Sequence, residues 1–171
     1  MDFHIRPGEL SDAEGVREIY ADIVENTAIS FEIDVPDVDE MAQRIENVSK
    51  SHVFLVAEHA SQILGYAYGS FFRPRKAYEK SAEVTVYVHK DMHGKGIGRR
   101  LYEALFEVLA EKGFHTALAG IALPNDASVA LHKSLGFTTV GVFREVGFKF
   151  DKWHDVEWWQ RPLGIQQKEH V

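Results

Sequence analysis

Apolar residues recur along this chain with two spacings, and the switches between them mark out the elements. "FHIRP" alternates as a strand does, and in "SAEVTVYV" the same period of two places Ala82, Val84, Val86 and Val88 on one face and Glu83, Thr85 and Tyr87 on the other. "VFLVAE" and "ILGYAYGSFF" read as strands joined by the polar turn "HASQ", a hairpin, while "HTALAGIAL", "FTTVGVF" and "DVEWWQ" supply the later strands. Helical spacing appears at Val16, Ile19, Tyr20 and Ile23, behind a capping box of Ser11 and Glu14. It returns at Val38, Met41, Ile45 and Val48 from about Asp37, and at Leu101, Leu105, Val108 and Leu109, a stripe that Gly113 ends. A short helix with Val129, Leu131 and Leu135 is capped by Asn125 or Asp126 and stopped by Gly136. The interleaving predicts an α/β (α+β) fold around a mixed sheet.

No repeat, low-complexity tract or linker divides the chain, so residues 1–163 are expected to form a single domain, with 164–171, "GIQQKEHV", a polar tail. The chain has 171 residues, of which 45% are hydrophobic, enough for one ordinary core. Nineteen basic against 26 acidic residues give a formal charge of −7, so no protein-wide field favours nucleic acid or an anionic membrane. An anionic ligand must be met by a local patch. There is no cysteine, which excludes disulfides and thiolate nucleophiles. Without a basic then apolar leader in "MDFHIRPGEL" or a bilayer-length apolar run, a cytoplasmic protein is expected.

One local patch stands out. "HGKGIGRRLY", residues 93–102, sets three glycines and three basic residues between the valine-rich strand and the Leu101 helix. A Walker A loop would need Gly-Lys-Ser/Thr where Arg99 begins, and the dinucleotide fingerprint would need glycine at Arg99 or Leu101; both fail. Two readings remain. Successive amides of such a loop form a concavity for a pyrophosphate, with Lys95, Arg99 or Arg100 adding charge at the rim, or the stretch is a glycine-rich turn with solvated charges.

Together, "AEVTVYV", "HGKGIGRRLY", "LPNDASVALHKSLGF" and "VGFKFDKWHDVEWWQ" resemble the GNAT superfamily of N-acetyltransferases, and within it the branch acting on phosphinothricin and methionine sulfoximine. The similarity runs from about Phe3 to Leu163; His93 departs from it, standing where the family usually has Gln or Arg. The resemblance implies a mainly antiparallel central sheet flanked by helices, with acetyl-CoA bound between splayed central strands. It also implies a homodimer, no metal, and transfer of acetyl to the amine of a small amino-acid analogue by direct attack in a ternary complex.

The chemistry needs a base for the ammonium, a polarised carbonyl and a proton for the departing thiolate. Alternation aims Glu83 off the valine face, and the resemblance gives it the base's role against that of a solvated strand carboxylate. The resemblance assigns Val86, Tyr87 and Val88 to the pantetheine arm, and Gly94, Lys95, Gly96, Ile97, Gly98 and Arg99 to the diphosphate. Asn125 fits both a helix cap and a coenzyme contact; Tyr102 fits both a proton donor for the thiolate and a core residue. His132 matches a histidine near the acceptor amine, and a structural histidine fits equally. For the acceptor, Arg73, Pro74 and Arg75 in "FFRPRKAY" offer paired donors to a carboxylate or phosphinate. Phe31, Tyr78, Val84 and Thr85 match further pocket positions, with Lys149 and the turn "KWHD" closing the pocket. His89 and His93, on a strand-to-loop junction without a third ligand, make no metal site. Rival readings on the same fold are acetylation of peptide amines and a non-catalytic acyl-CoA sensor.

Overall fold

The structure is a computed structural model and describes residues 2–164; the rest of the tail expected from Gly164 lies outside the described residues. In chain order the elements are β1 (His4–Pro7), α1 (Ala13–Asn26), α2 (Val38–Ser51), β2 (Val53–His59), β3 (Gln62–Phe71) and β4 (Ser81–Val88). Then follow α3 (Ile97–Glu111), β5 (Thr116–Ala122), α4 (Asp126–Ser134), β6 (Thr138–Lys149) and β7 (Lys152–Pro162). Seven strands form one sheet in the order β1-β2-β3-β4-β5-β7-β6. Every neighbouring pair is antiparallel except β4 with β5. The expected mixed, mainly antiparallel sheet is therefore present. Among the described residues no helix is long and apolar enough to cross a membrane.

Helices cover both faces of the β2–β4 part of the sheet. On one, Ala82, Val84, Val86 and Val88 pack with Leu101, Leu105 and Leu109 of α3, three leucines wholly removed from solvent and contributing roughly 2 kcal/mol each. On the other, α1 and α2 cover Phe54, Val56, Tyr66 and Tyr87. The period of two in β4 thus puts its valines in one core and Tyr87 against the other.

Two local readings need correction. Ser11 and Glu14 do not cap α1. A short 3-10 turn over Leu10–Asp12 leads into it, and the Asp12 carboxylate accepts from the Glu9 amide at 2.8 Å. Arg6 forks onto the same carboxylate at 2.7 and 2.8 Å, which fixes Asp12 in the 3-10 turn and leaves α1 to begin at Ala13. Farther on, "KWHD" is not a turn. β6 and β7 run on past "FTTVGVF" and "DVEWWQ" as a long hairpin whose turn is Phe150–Asp151, both left-handed at φ 55° and 54°. A bulge between Phe143 and Gly147 interrupts it. Asp155 holds that bulge, accepting from Arg144 Nη1 and the Glu145 amide, each at 2.8 Å.

Candidate active site

The site begins where two strands part. β4 and β5 pair over Ser81↔Thr116, Ala82↔Ala117 and Glu83↔Leu118, and no farther. Beyond this fork β4 stays with β3 as far as Val88, and β5 stays with β7 as far as Ala122. Among the described residues the facing edges of Val84–Val88 and Ala119–Ala122 have no strand partners, and backbone groups in that state demand other partners. Two cavities open there. The smaller, about 250 Å³, is lined by Glu83 to Tyr87 and by Ala119 to Ala122. The larger, about 580 Å³, follows Val86–Lys90 to the glycine loop and the start of α3. Both include Val86, Tyr87, Asn125 and Ser128 in their walls, so they adjoin at the fork.

Glu83 sits at the base of the fork and faces the smaller cavity. Burial pushes its carboxyl above the ordinary glutamate value, and the positive charge of Arg73 works against that rise. Across the cavity, Tyr102 and His132 form a pair, with Tyr102 Oη 3.3 Å from His132 Nε2 and 3.4 Å from the Val84 carbonyl oxygen. His132 Nδ1 lies 2.7 Å from the Ser128 carbonyl oxygen. A carbonyl accepts only, so Nδ1 carries the proton and Nε2 presents its lone pair to Tyr102. Burial lowers the imidazole's pKa and raises the phenol's, so both groups stay neutral near pH 7.

The glycine loop is shaped for an anion. Gly94 and Gly96 hold φ of 74° and 76°, a region that costs other residues about 1–2 kcal/mol, and a Cβ on either would meet nothing within 4 Å. Gly96 is the N-cap of α3 and supplies no side-chain cap, unlike Asp37 on α2 and Asn125 on α4. The first intrahelical bond runs from the Arg100 amide to the Gly96 carbonyl, so the amides of Ile97, Gly98 and Arg99 precede the ladder.

Glu83, Val84, Thr85, Val86, Tyr87, Tyr102, Asn125, His132 and Phe31 come together around the smaller cavity. Val88, Gly94, Gly96, Ile97, Gly98 and Arg99 line the larger one. Asn125 takes the cap role, its Oδ1 accepting from the Ser128 amide at 3.1 Å, while also standing in both walls. Lys95 lines neither; its Nζ folds back to the Asp91 carbonyl at 3.0 Å. Arg99 is held by Glu103 and Ser134, and Arg100 stacks over the Phe3 ring at 4.1 Å. Arg73, Pro74, Arg75 and Tyr78 lie on an exposed loop outside both walls. Arg73 covers the Phe72 ring at 4.9 Å, and Tyr78 meets the same ring edge-on. His89 accepts from the Asp91 amide and His93 meets the Val88 carbonyl at 3.0 Å, so the two imidazoles serve separate backbone groups.

Tyr68 and Ser128 also line the smaller cavity and were not singled out from sequence. Tyr68 stands opposite Thr85 in the β3–β4 register, and Ser128 lies one helical turn before His132. The i, i+4 spacing to His132 is the signal that could have found Ser128; Tyr68 has no such local signal.

A family model described as "Acetyltransferase (GNAT) domain" matches residues 5–158. The chain belongs to the GNAT acetyltransferase family. A phosphinothricin N-acetyltransferase of Streptomyces coelicolor is 40% identical, covering 93% of this chain and 95% of its own. An L-methionine sulfoximine/L-methionine sulfone acetyltransferase of Pseudomonas aeruginosa is 36% identical, with 95% and 96% covered. Among solved structures, a GNAT superfamily phosphinothricin acetyltransferase from Sinorhizobium meliloti, in complex with acetyl-CoA, superposes with a TM-score of 0.91 at 33% identity. That match spans 100% of this chain and 96% of the other. In this GNAT acetyltransferase, then, the forked strands and the glycine loop are parts of an acyl-transfer fold.

Proposed function

We propose that this GNAT acetyltransferase moves the acetyl group of acetyl-CoA to the α-amine of a small amino-acid analogue of the phosphinothricin or methionine sulfoximine type, by direct attack in a ternary complex. The observation that carries the reading is the fork, which sets Glu83 at the base of the smaller of two adjoining cavities. The residues suit the coenzyme. The free edge of β4 offers backbone groups to its amide-bearing arm, and the uncapped first turn of α3 with Gly94 and Gly96 suits its diphosphate. Acetyl-CoA supplies an acetyl thioester whose departing sulfur needs a proton.

Glu83 takes a proton from the acceptor's ammonium. Its raised pKa brings donor and acceptor closer in basicity, as a working general base requires. Tyr102, which keeps its own proton under burial, turns that proton from His132 Nε2 to the departing sulfur, and the second proton that the attacking nitrogen sheds on becoming an amide restores the phenol. Phe31, Tyr68 and Thr85 wall the acceptor cavity, and Arg73, close enough to bias Glu83, supplies positive charge for the acceptor's acid group. A cavity of about 250 Å³ suits a single amino acid. The reading includes a cytoplasmic setting and a homodimer that covers the β6–β7 hairpin, where Val140, Phe143, Val146, Phe148, Phe150 and Trp153 are each more than half exposed.

The test is a panel of free amino acids and analogues with acetyl-CoA, followed by release of coenzyme A thiol. Phosphinothricin or methionine sulfoximine is expected to be turned over by the wild type, with the rate falling about 10²–10⁴-fold in Glu83→Gln. Binding of acetyl-CoA without transfer to any of them, or undiminished turnover in the variant, would defeat the reading.

A further inference from the structure

We propose that Gly147 and Lys149, far out on the β6–β7 hairpin, are positioning residues that set the wall of the acceptor cavity and so its selectivity. The inference rests on reading the smaller cavity as the acceptor site. That cavity's outer wall is not a helix or strand. It is the connection between α1 and α2, residues 27–37, which contributes Ile29, Ser30 and Phe31. A wall without regular backbone bonds must be held from elsewhere.

It is held in two ways. Inside its own layer, Ser30 Oγ meets Tyr20 Oη at 2.7 Å, Tyr20 also bonds Glu32, and Arg44 forks onto Glu32 at 2.6 and 2.9 Å. From the hairpin, Lys149 Nζ donates to the Ser30 carbonyl at 2.8 Å and to the Val24 carbonyl at 2.7 Å, near the C-terminal end of α1. Lys149 is 4% exposed. A buried ammonium is costly unless its protons are taken up, and here two backbone carbonyls take two of the three while the negative end of α1 lies alongside. The cation therefore joins the hairpin to the middle of the wall.

Gly147 sets the wall's depth. An added Cβ there would lie 2.1 Å from Phe31 Cε2 and 2.4 Å from Cζ, whereas ordinary contact is 3.4–4 Å. The ring lies against bare backbone on one side and the cavity on the other, with His154 beside it at 6.0 Å between centroids. Gly147 is not among the glycines with positive φ, so alanine there leaves the backbone unstrained. What it displaces is Phe31, toward the space the acceptor would fill.

Kinetics of the wild type, Gly147→Ala, Phe31→Ala and the double variant, with methionine sulfoximine as the varied acceptor and then acetyl-CoA as the varied donor, test this. Gly147→Ala is expected to raise the acceptor KM about tenfold with the acetyl-CoA KM unchanged. In the Phe31→Ala background the same change should move the acceptor KM less than twofold. Equal effects in both backgrounds, or none in either, overturn the proposal. Hydrogen exchange at residues 29–32 reads the other half without any acceptor: Lys149→Met should speed it and Lys149→Arg should restore part of the protection. Unchanged exchange refutes the clamp. A wild type inactive toward every amino acid but with exchange altered by Lys149→Met would fault the acceptor assignment and leave the clamp standing.

Discussion

Glu83 answers two opposed demands. Its carboxylate must be ionised to take a proton, yet burial favours the neutral acid. Because its folded pKa lies above that of the unfolded chain, the stability linked to this group is complete below the ordinary value of about 4.3 and is lost as pH rises through the folded value. Glu83→Gln is therefore expected to melt higher than the wild type at pH 8, with the gap shrinking toward pH 4; calorimetry at both pH values checks it. A gap independent of pH would mean that the carboxylate is not strained by burial. Activity follows the opposite course, with kcat/KM falling as pH drops through the same raised value. Arg73 opposes the rise, so Arg73→Ala should move that acid limb to higher pH as well as raise the acceptor KM. A limb that stays in place would remove Arg73 from the field at Glu83. The face on which Glu83 lies was legible in the sequence because a period of two needs no knowledge of neighbours, whereas its role as base came from the family resemblance. Tyr68 was not, since its place beside Thr85 depends on how β3 registers with β4.

At the scale of elements, the strand, loop and helix around the glycines form the most legible part of the chain, since the glycines and the Leu101 stripe each signal locally. Replacing Gly96 by alanine separates the loop's two duties. The left-handed φ alone should cost about 1–2 kcal/mol of stability. A Cβ there meets nothing in the protein, so affinity for acetyl-CoA measured by calorimetry should fall tenfold or more only if the ligand lies against that carbon. Equal affinity for variant and wild type would send the diphosphate elsewhere. The long hairpin was poorly legible for physical reasons. The bulge after Phe143 breaks the alternation, and the turn at Phe150–Asp151 takes left-handed angles without a glycine to announce them. The fork is a relation between strands far apart in sequence, and no local pattern encodes where two parallel strands stop pairing; here the family resemblance supplied what periodicity could not.

The molecule as a whole carries a net charge of −7 and yet shows a concentrated apolar strip along β6 and β7. Two copies repel through that charge, so the homodimer proposed above would draw its association from the strip. Six large side chains, each exposing on the order of 100 Å², offer roughly 600 Å² per copy, close to the ~800 Å² that one partner contributes to a standard interface. Phe148 and Trp153 pack together at 5.1 Å within the strip, a rigid aromatic pair of the kind that anchors protein interfaces. Phe148→Glu would put a charge into that pair, and in the proposed homodimer each copy would carry an unpaired carboxylate into the interface. Light scattering is expected to give the mass of two copies for the wild type and one copy, 19.4 kDa, for the variant. Raising the salt to 0.5 M should leave the wild-type dimer intact or tighten it, because screening weakens the repulsion of like-charged copies and not the apolar contact. Dissociation on adding salt would show that ion pairs hold the copies together and that the strip faces something else.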